Sequence, residues 1–249
     1  MKKYLLSILF MGFGLVSNAQ FGKLLDKAKD SKVVKKAGEI TGMDSGLDIS
    51  GGLKEALQSG VSEAVTNLSS ENGYLESPYK ILIPEEAQKI VDKLKMVPGF
   101  NDVEDKLVSK MNAAAESAAK KATPIFTHAI TSMSFEDAKN ILFGKKDAAT
   151  RYLDNSSRKS LYDAFLPVIQ SALDEVNART YWTSIVNKYN SLPFTSKINP
   201  ELDDHVNNKA LDGLFGLIEV KESGIREDIN QRTSPLLRDV FGQLDAKKD

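Results

Sequence analysis

The stretch MSFEDAKNILFGKKDAATRYLDNSSRK, Met133 to Lys159, decides the fold. Ser134 stands where a helix N-cap belongs, with Asp137 three residues on in the capping-box position. Phe135, Ala138, Ile141 and Leu142 then recur at helical spacing. Gly144 follows the last apolar pair, where a left-handed C′ residue is expected. Asp147 is placed to cap a second helix opening Ala148-Ala149-Thr150-Arg151-Tyr152-Leu153. Two short helices therefore meet at a tight corner, and longer ones flank it.

Working outward, the same spacing recurs on both sides. Leu53, Ala56, Leu57, Val61, Ala64, Val65 and Leu68 mark a helix on the N-terminal side, and Asn72-Gly73 a turn after it. Pro78 and Pro84 bracket Tyr79 to Ile83, which is predicted to be extended because a residue preceding proline avoids the helical region. Pro84 suits N1 of a helix running toward Pro98-Gly99, with Glu85-Glu86 at the positive end of its dipole. Asn101 or Asp102 caps the next, with Val103, Leu107, Met111, Ala114, Ala115 and Ala118 inward. Thr123-Pro124 opens another.

Beyond the corner, Ser156 or Ser157 is expected to start a helix through Val176, kinked at Pro167. Arg179 to Leu192 follows, with Tyr181, Trp182, Ile185, Val186 and Tyr189 on one face. Phe194 to Ile198 is expected to be extended. Asn199-Pro200 begins the last long helix, in which Gly213 and Gly216 predict a close crossing by another backbone. Thr233-Ser234-Pro235 caps a closing helix that Gly242 stops. The fold class is all-α: a single compact domain of about eight to ten helices, within the usual size of one domain, spanning 48–243. At most one short two-stranded element is expected, near 80–83 and 194–198, and 244–249 is expected to be a disordered tail.

The N-terminus has the three parts of a secretory signal: basic Lys2-Lys3, an apolar run from Tyr4 to Val16, and small residues at Ser17-Asn18-Ala19. Cleavage after Ala19 and a periplasmic or secreted location are expected. The run is shorter than the roughly 20 residues a spanning helix needs, and no transmembrane helix is expected in the mature chain. Without Lys2 and Lys3 the chain holds 31 basic and 34 acidic residues, a net charge of −3. That balance argues against nucleic acid as a partner. There are no cysteines, which removes disulfides, thiolate metal sites and thiol nucleophiles. It also removes a lipidated cysteine after the signal. Residues 20–47 form a lysine-rich leader and glycine-rich linker, with Gly51-Gly52 continuing it as a hinge. Residues 21–39 read either as a solvated leader or as a peripheral membrane contact.

No G-x-S-x-G elbow, Walker loop, G-x-G-x-x-G or calcium loop occurs. His128 is expected to be a partly buried core histidine. His205 follows Asp203-Asp204, but no second histidine stands at i+3 or i+4, and no metal or cofactor is expected. His205, Asn208, Lys209 and Asp212 share a helix face, and with Asp203 and Asp204 they form the candidate ligand site. The alternative reading is a solvated stripe.

Several segments resemble one bacterial family, that of domain of unknown function 4197. They are GLKEALQSGVSEAVTNLS from Gly52, NGYLESPYKILIPEE from Asn72, FEDAKNILFGKKDAATRYL from Phe135, LYDAFLPVIQSALDEV from Leu161 and NPELDDHVNNKALDGLFGLI from Asn199. Their order covers Leu53 to Phe241. The resemblance implies a helical protein, secreted or lipid-anchored in bacteria, and carries no activity to any residue. Two functions follow as expectations: a binding or interaction module of the cell envelope, or an enzyme using the carboxylates of 203–212, with Lys209.

Overall fold

The computed structural model describes residues 43–96, 101–194 and 197–245. Expectations for the signal, the leader before Met43, the region of Pro98-Gly99 and the last four residues lie outside these. The chain divides into Met1–Gly46 and Leu47–Asp249; the second unit carries the architecture below.

Among the described residues there are nine α-helices and no strand. They are α1 (Met43–Leu68), α2 (Glu85–Lys95), α3 (Val103–Ala119), α4 (Ala122–Thr131), α5 (Phe135–Leu142), α6 (Ala148–Asp174), α7 (Ala178–Asn190), α8 (Leu202–Glu227) and α9 (Pro235–Asp245). A 3₁₀ turn, Ile229–Gln231, follows α8. Helix α6 is the axis of the bundle: α3, α4, α5, α7 and α8 all pack on it. Its inward row runs Leu153, Ser157, Leu161, Phe165, Ile169, Leu173, one residue per turn, all buried. Against it lie Val206, Ala210 and Leu214 of α8 and Ala114, Ala115, Ala118 and Ala119 of α3, which are fully buried. Phe126 of α4 meets Phe215 of α8 edge to face, 5.7 Å between centroids, the arrangement an aromatic quadrupole favours.

The corner forms as its sequence predicts, with two corrections. Ser134 Oγ accepts from the Asp137 N–H at 3.1 Å, and the Asp137 carboxylate accepts from the Ser134 N–H at 3.0 Å. The Ser134 hydroxyl, which donates to the Asp137 carboxylate at 2.7 Å, and then the Ser134 N–H hold that carboxyl below its ordinary pKa. Gly144, however, is not left-handed; a Cβ there would lie 2.5 Å from the Asn140 carbonyl oxygen. Asp147 occupies the cap position of α6 without a side-chain cap bond. Its work is done from α8. Glu222 accepts from the Ala149 and Thr150 N–H groups at 3.0 and 2.8 Å and from the Thr150 hydroxyl at 2.8 Å. One turn on, Arg226 donates to the Leu142 and Ile141 carbonyls at 3.0 and 2.8 Å, and to Glu222 at 2.9 Å. A buried acid thus caps one helix start and a buried base the preceding helix end, each matching the local dipole.

Three other expectations are revised. No helix starts at Ser156 or Ser157: their hydroxyls bond back to the Tyr152 and Leu153 carbonyls, inside α6, at 2.8 and 2.5 Å. Pro167 lies on the exposed side of the same continuous helix. Gly51-Gly52 belong to α1 rather than a hinge; a Cβ on Gly52 would reach 2.3 Å from Val240 Cγ2 of α9. Gly242 does not end α9, whose last residue, Asp245, pairs with the buried Arg232 at 2.5 Å.

The expected two-stranded element does not form among the described residues, because each extended segment finds an asparagine instead. Asn112 of α3 accepts from the Ile81 N–H at 2.8 Å and donates to the Ile81 carbonyl at 2.9 Å. Asn190 does the same for Ile198, at 2.9 and 2.7 Å. One side-chain amide supplies both halves of a ladder rung. Residues 80–84 are a strap, with Ile81 and Ile83 inward and Leu82 outward. Just before it, Tyr74 is fully buried; its hydroxyl donates to the Ala210 carbonyl at 2.7 Å, and its N–H to buried Glu116 at 3.2 Å. The crossing expected at Gly213 and Gly216 is made by tyrosine rings rather than a helix. A Cβ on Gly213 would sit 2.9 Å from Tyr79 Cβ and 3.0 Å from Tyr74 Cε1.

Two outcomes follow. Glu222→Ala strands a buried guanidinium and uncaps α6, and urea titration should show a loss of about 3–5 kcal/mol. Gly213→Ala, wedged against a tyrosine that cannot retreat, should cost about 1–3 kcal/mol by the same measurement.

Candidate functional site

The start of α8 is organised by polar side chains. Asn199 Oδ1 accepts from the Glu201 N–H at 3.0 Å and sets the entry turn. Asp203 turns inward, 7% exposed, taking a bond from Gln170 at 2.7 Å with Arg179 at 3.5 Å. Asp204 collects three donors: the Tyr162 hydroxyl at 2.6 Å, Asn208 at 2.9 Å and Asn199 at 3.1 Å. His205 bonds through Nε2 to the Leu82 carbonyl at 2.9 Å, fastening the strap to α8. Asp212 points to Arg158, 3.1 Å away, whose guanidinium stacks over Phe215 at 5.1 Å. Lys209 is exposed.

Of the six candidates, Asp204, His205, Asn208 and Lys209 come together, around a hollow of about 280 Å³ that Pro84, Lys197, Ile198 and Asn199 complete. Asp203 and Asp212 face other partners. Each of the three carboxylates already accepts bonds from its neighbours. The arrangement fixes helix start, strap and α6 to one another. His128, expected partly buried, is exposed on α4. Among the described residues no group of three or more His, Cys, Asp or Glu side chains is placed to hold a metal ion.

A larger concavity among the described residues lies elsewhere. A cleft of about 770 Å³ opens between α2, α3 and α7. One wall is Ala87, Ile90 and Val91 of α2; the opposite wall is Tyr181, Trp182, Ile185 and Val186 of α7. Leu107 of α3 also lines it. Among the described residues the charged lining comes from the α3 side: Asp102, Asp105, Lys106 and Lys110. As far as the described residues line it, two walls are apolar and one edge is charged on both signs. Trp182 is 5% exposed and its indole N–H donates to the Asn199 carbonyl at 3.4 Å, so the cleft shares a wall with the segment leading into α8. The pattern reading placed Ile185 and Val186 on a buried face without finding a cavity there. Tyr181, on the same face of α7, is 65% exposed.

Fold and geometry define an all-helical domain with one apolar cleft and a polar helix start tied down by internal bonds. Residues 44–242 match the family described as Protein of unknown function (DUF4197), and the chain belongs to that family. No curated protein and no solved structure matches the chain.

The bond to Asp204 pushes the Tyr162 hydroxyl up to about 12, with burial adding to it. A phenol whose folded pKa is raised contributes stability that is complete below its unfolded value of about 10 and is lost as pH rises through 12. Asp204→Asn should bring Tyr162 back toward the ordinary tyrosine range in a spectrophotometric titration, and flatten the loss of stability above pH ~10. The difference should vanish in Tyr162→Phe.

Proposed function

We propose that the chain is a binding module of the bacterial cell envelope, exported through its N-terminal signal, and that it holds an amphiphile with one apolar chain in the α2–α3–α7 cleft. One observation carries the reading: two apolar walls and a single charged edge, enclosing a volume within the range of about 300–1,000 Å³ typical of small-molecule sites. An apolar chain entering between Val91 and Ile185 is driven by removal of hydrocarbon surface from water. Its polar end would face the α3 edge, where the exposed Lys106 and Lys110 line the cleft and can lay their stems along it while keeping their ammonium groups wet. Lys106 is paired with Asp102 at 2.8 Å in an exposed ion pair, a bond weak enough to exchange for a ligand.

The export half of the reading rests on Lys2-Lys3, the apolar run and Ser17-Asn18-Ala19. The enzyme alternative at 203–212 has less behind it, since Asp203, Asp204 and Asp212 each serve a neighbouring side chain.

Trp182 is the chain's single tryptophan and lies in the cleft wall, so it reports occupancy directly. Titrating the full chain with N-phenyl-1-naphthylamine should produce energy transfer from Trp182, and a straight-chain fatty acid should displace the probe. Ile185→Glu sets a carboxylate in an apolar wall and should weaken both ligands about tenfold or more, with the melting temperature nearly unchanged. Absence of saturable transfer, or equal affinity in Ile185→Glu, would refute the assignment.

A further inference from the structure

The outward side of the α5–α6 corner has a character that neither the core nor the cleft accounts for. Phe135, Lys139 and Phe143 stand four residues apart along α5 and its C-cap, and so share one face. Phe135 is 46% and Phe143 37% exposed, unusual for a side chain that is normally interior. Lys139 lies between them, and Lys145 and Lys146 follow in the connection to α6; all three are exposed. The nearby acids offset this charge only in part. Asp137 is engaged in the capping box, and Asp147 faces Arg151 at 3.5 Å. Glu136, at the opposite end of α5, is exposed.

Two aromatic rings among three cations are what an interfacial surface needs. The rings suit the headgroup level of a bilayer, and lysines gain from a negative lipid surface within a Debye length. A rigid presentation lowers the ordering cost of docking, and this corner is held from behind by Glu222 and Arg226. We propose that the face docks on an anionic phospholipid bilayer, with Phe135 and Phe143 entering the headgroup region and Lys139, Lys145 and Lys146 meeting lipid phosphates. This surface does not depend on the cleft having a ligand.

The test places a reporter on the face. In a Trp182→Phe background, Phe143→Trp carries the chain's only indole at the corner. Its emission is followed with vesicles of phosphatidylcholine bearing brominated acyl chains, with and without phosphatidylglycerol. Docking predicts a blue shift and quenching with phosphatidylglycerol vesicles, and loss of both in the Lys139→Glu, Lys145→Glu, Lys146→Glu variant. A leader held on the membrane by itself leaves this indole in water. Unchanged emission, or a response indifferent to the three lysines, overturns the proposal and leaves the face to a protein partner. Co-sedimentation of the full chain with and without Phe135→Ser and Phe143→Ser supplies a second measurement in the native Trp182 background. Equal binding of the two proteins would likewise overturn it.

Discussion

The pair Glu222 and Arg226 is the constraint on which the rest of the bundle depends. Two helices that turn a tight corner leave carbonyls at one end and N–H groups at the other start, all needing partners. At the α5–α6 corner both sets are buried against α8. One turn of α8 supplies the acid for the N–H groups and the base for the carbonyls, at opposite ends of a single ion pair. Remove either and the other is a buried charge without compensation. The arrangement fixes the position of α8 along α6, and with it every residue at the far end of α8. Arg232 repeats the device, donating to the Ile225 and Arg226 carbonyls at 3.0 and 3.1 Å and seating α9 through Asp245.

The same economy governs the extended segments. A strap lying on helices has no strand beside it, yet its backbone polar groups still need bonds. Asn112 and Asn190 meet that need because a primary amide carries a donor and an acceptor at the spacing of a peptide unit. Buried Glu116 does so for the N–H of Tyr74, and His205 for the Leu82 carbonyl. Much of the polar chemistry inside this protein is thus spent on backbone groups rather than aimed at a cavity. That bears on function: conspicuous polar residues here hold the architecture, while the emptiest space is lined by hydrocarbon.

Interior and surface readings of the apolar residues separate on this point. Helical spacing identifies a face that avoids water, but it is silent on what covers that face. For Leu153 and Phe165 the cover is the core. Ile185 and Val186 border a cleft, and Phe135 and Phe143 stay partly exposed. A membrane contact was legible as an expectation for 21–39 from lysines among leucines; the corner carries an equivalent pattern split across a helix and a loop.

The all-α class, the capping box of Ser134 and Asp137 at the corner, and the presence of α3, α4, α5, α7, α8 and α9 were determined by sequence alone, because each depends on residues within four positions of one another. Tertiary structure decided what distant partners decide. Asp147 yields its capping role to a glutamate 75 positions away in the chain. The hydroxyls of Ser156 and Ser157 bond back to carbonyls of their own helix instead of capping a new one, because α6 runs through them as the axis of the bundle. Four of the six candidate residues meet at one hollow through local helical spacing, whereas Asp203 and Asp212 are claimed by Gln170 and Arg158 from another helix. The cleft was invisible to pattern because a cavity is a property of how three helices pack along their lengths, and no short-range rule records the space left between them.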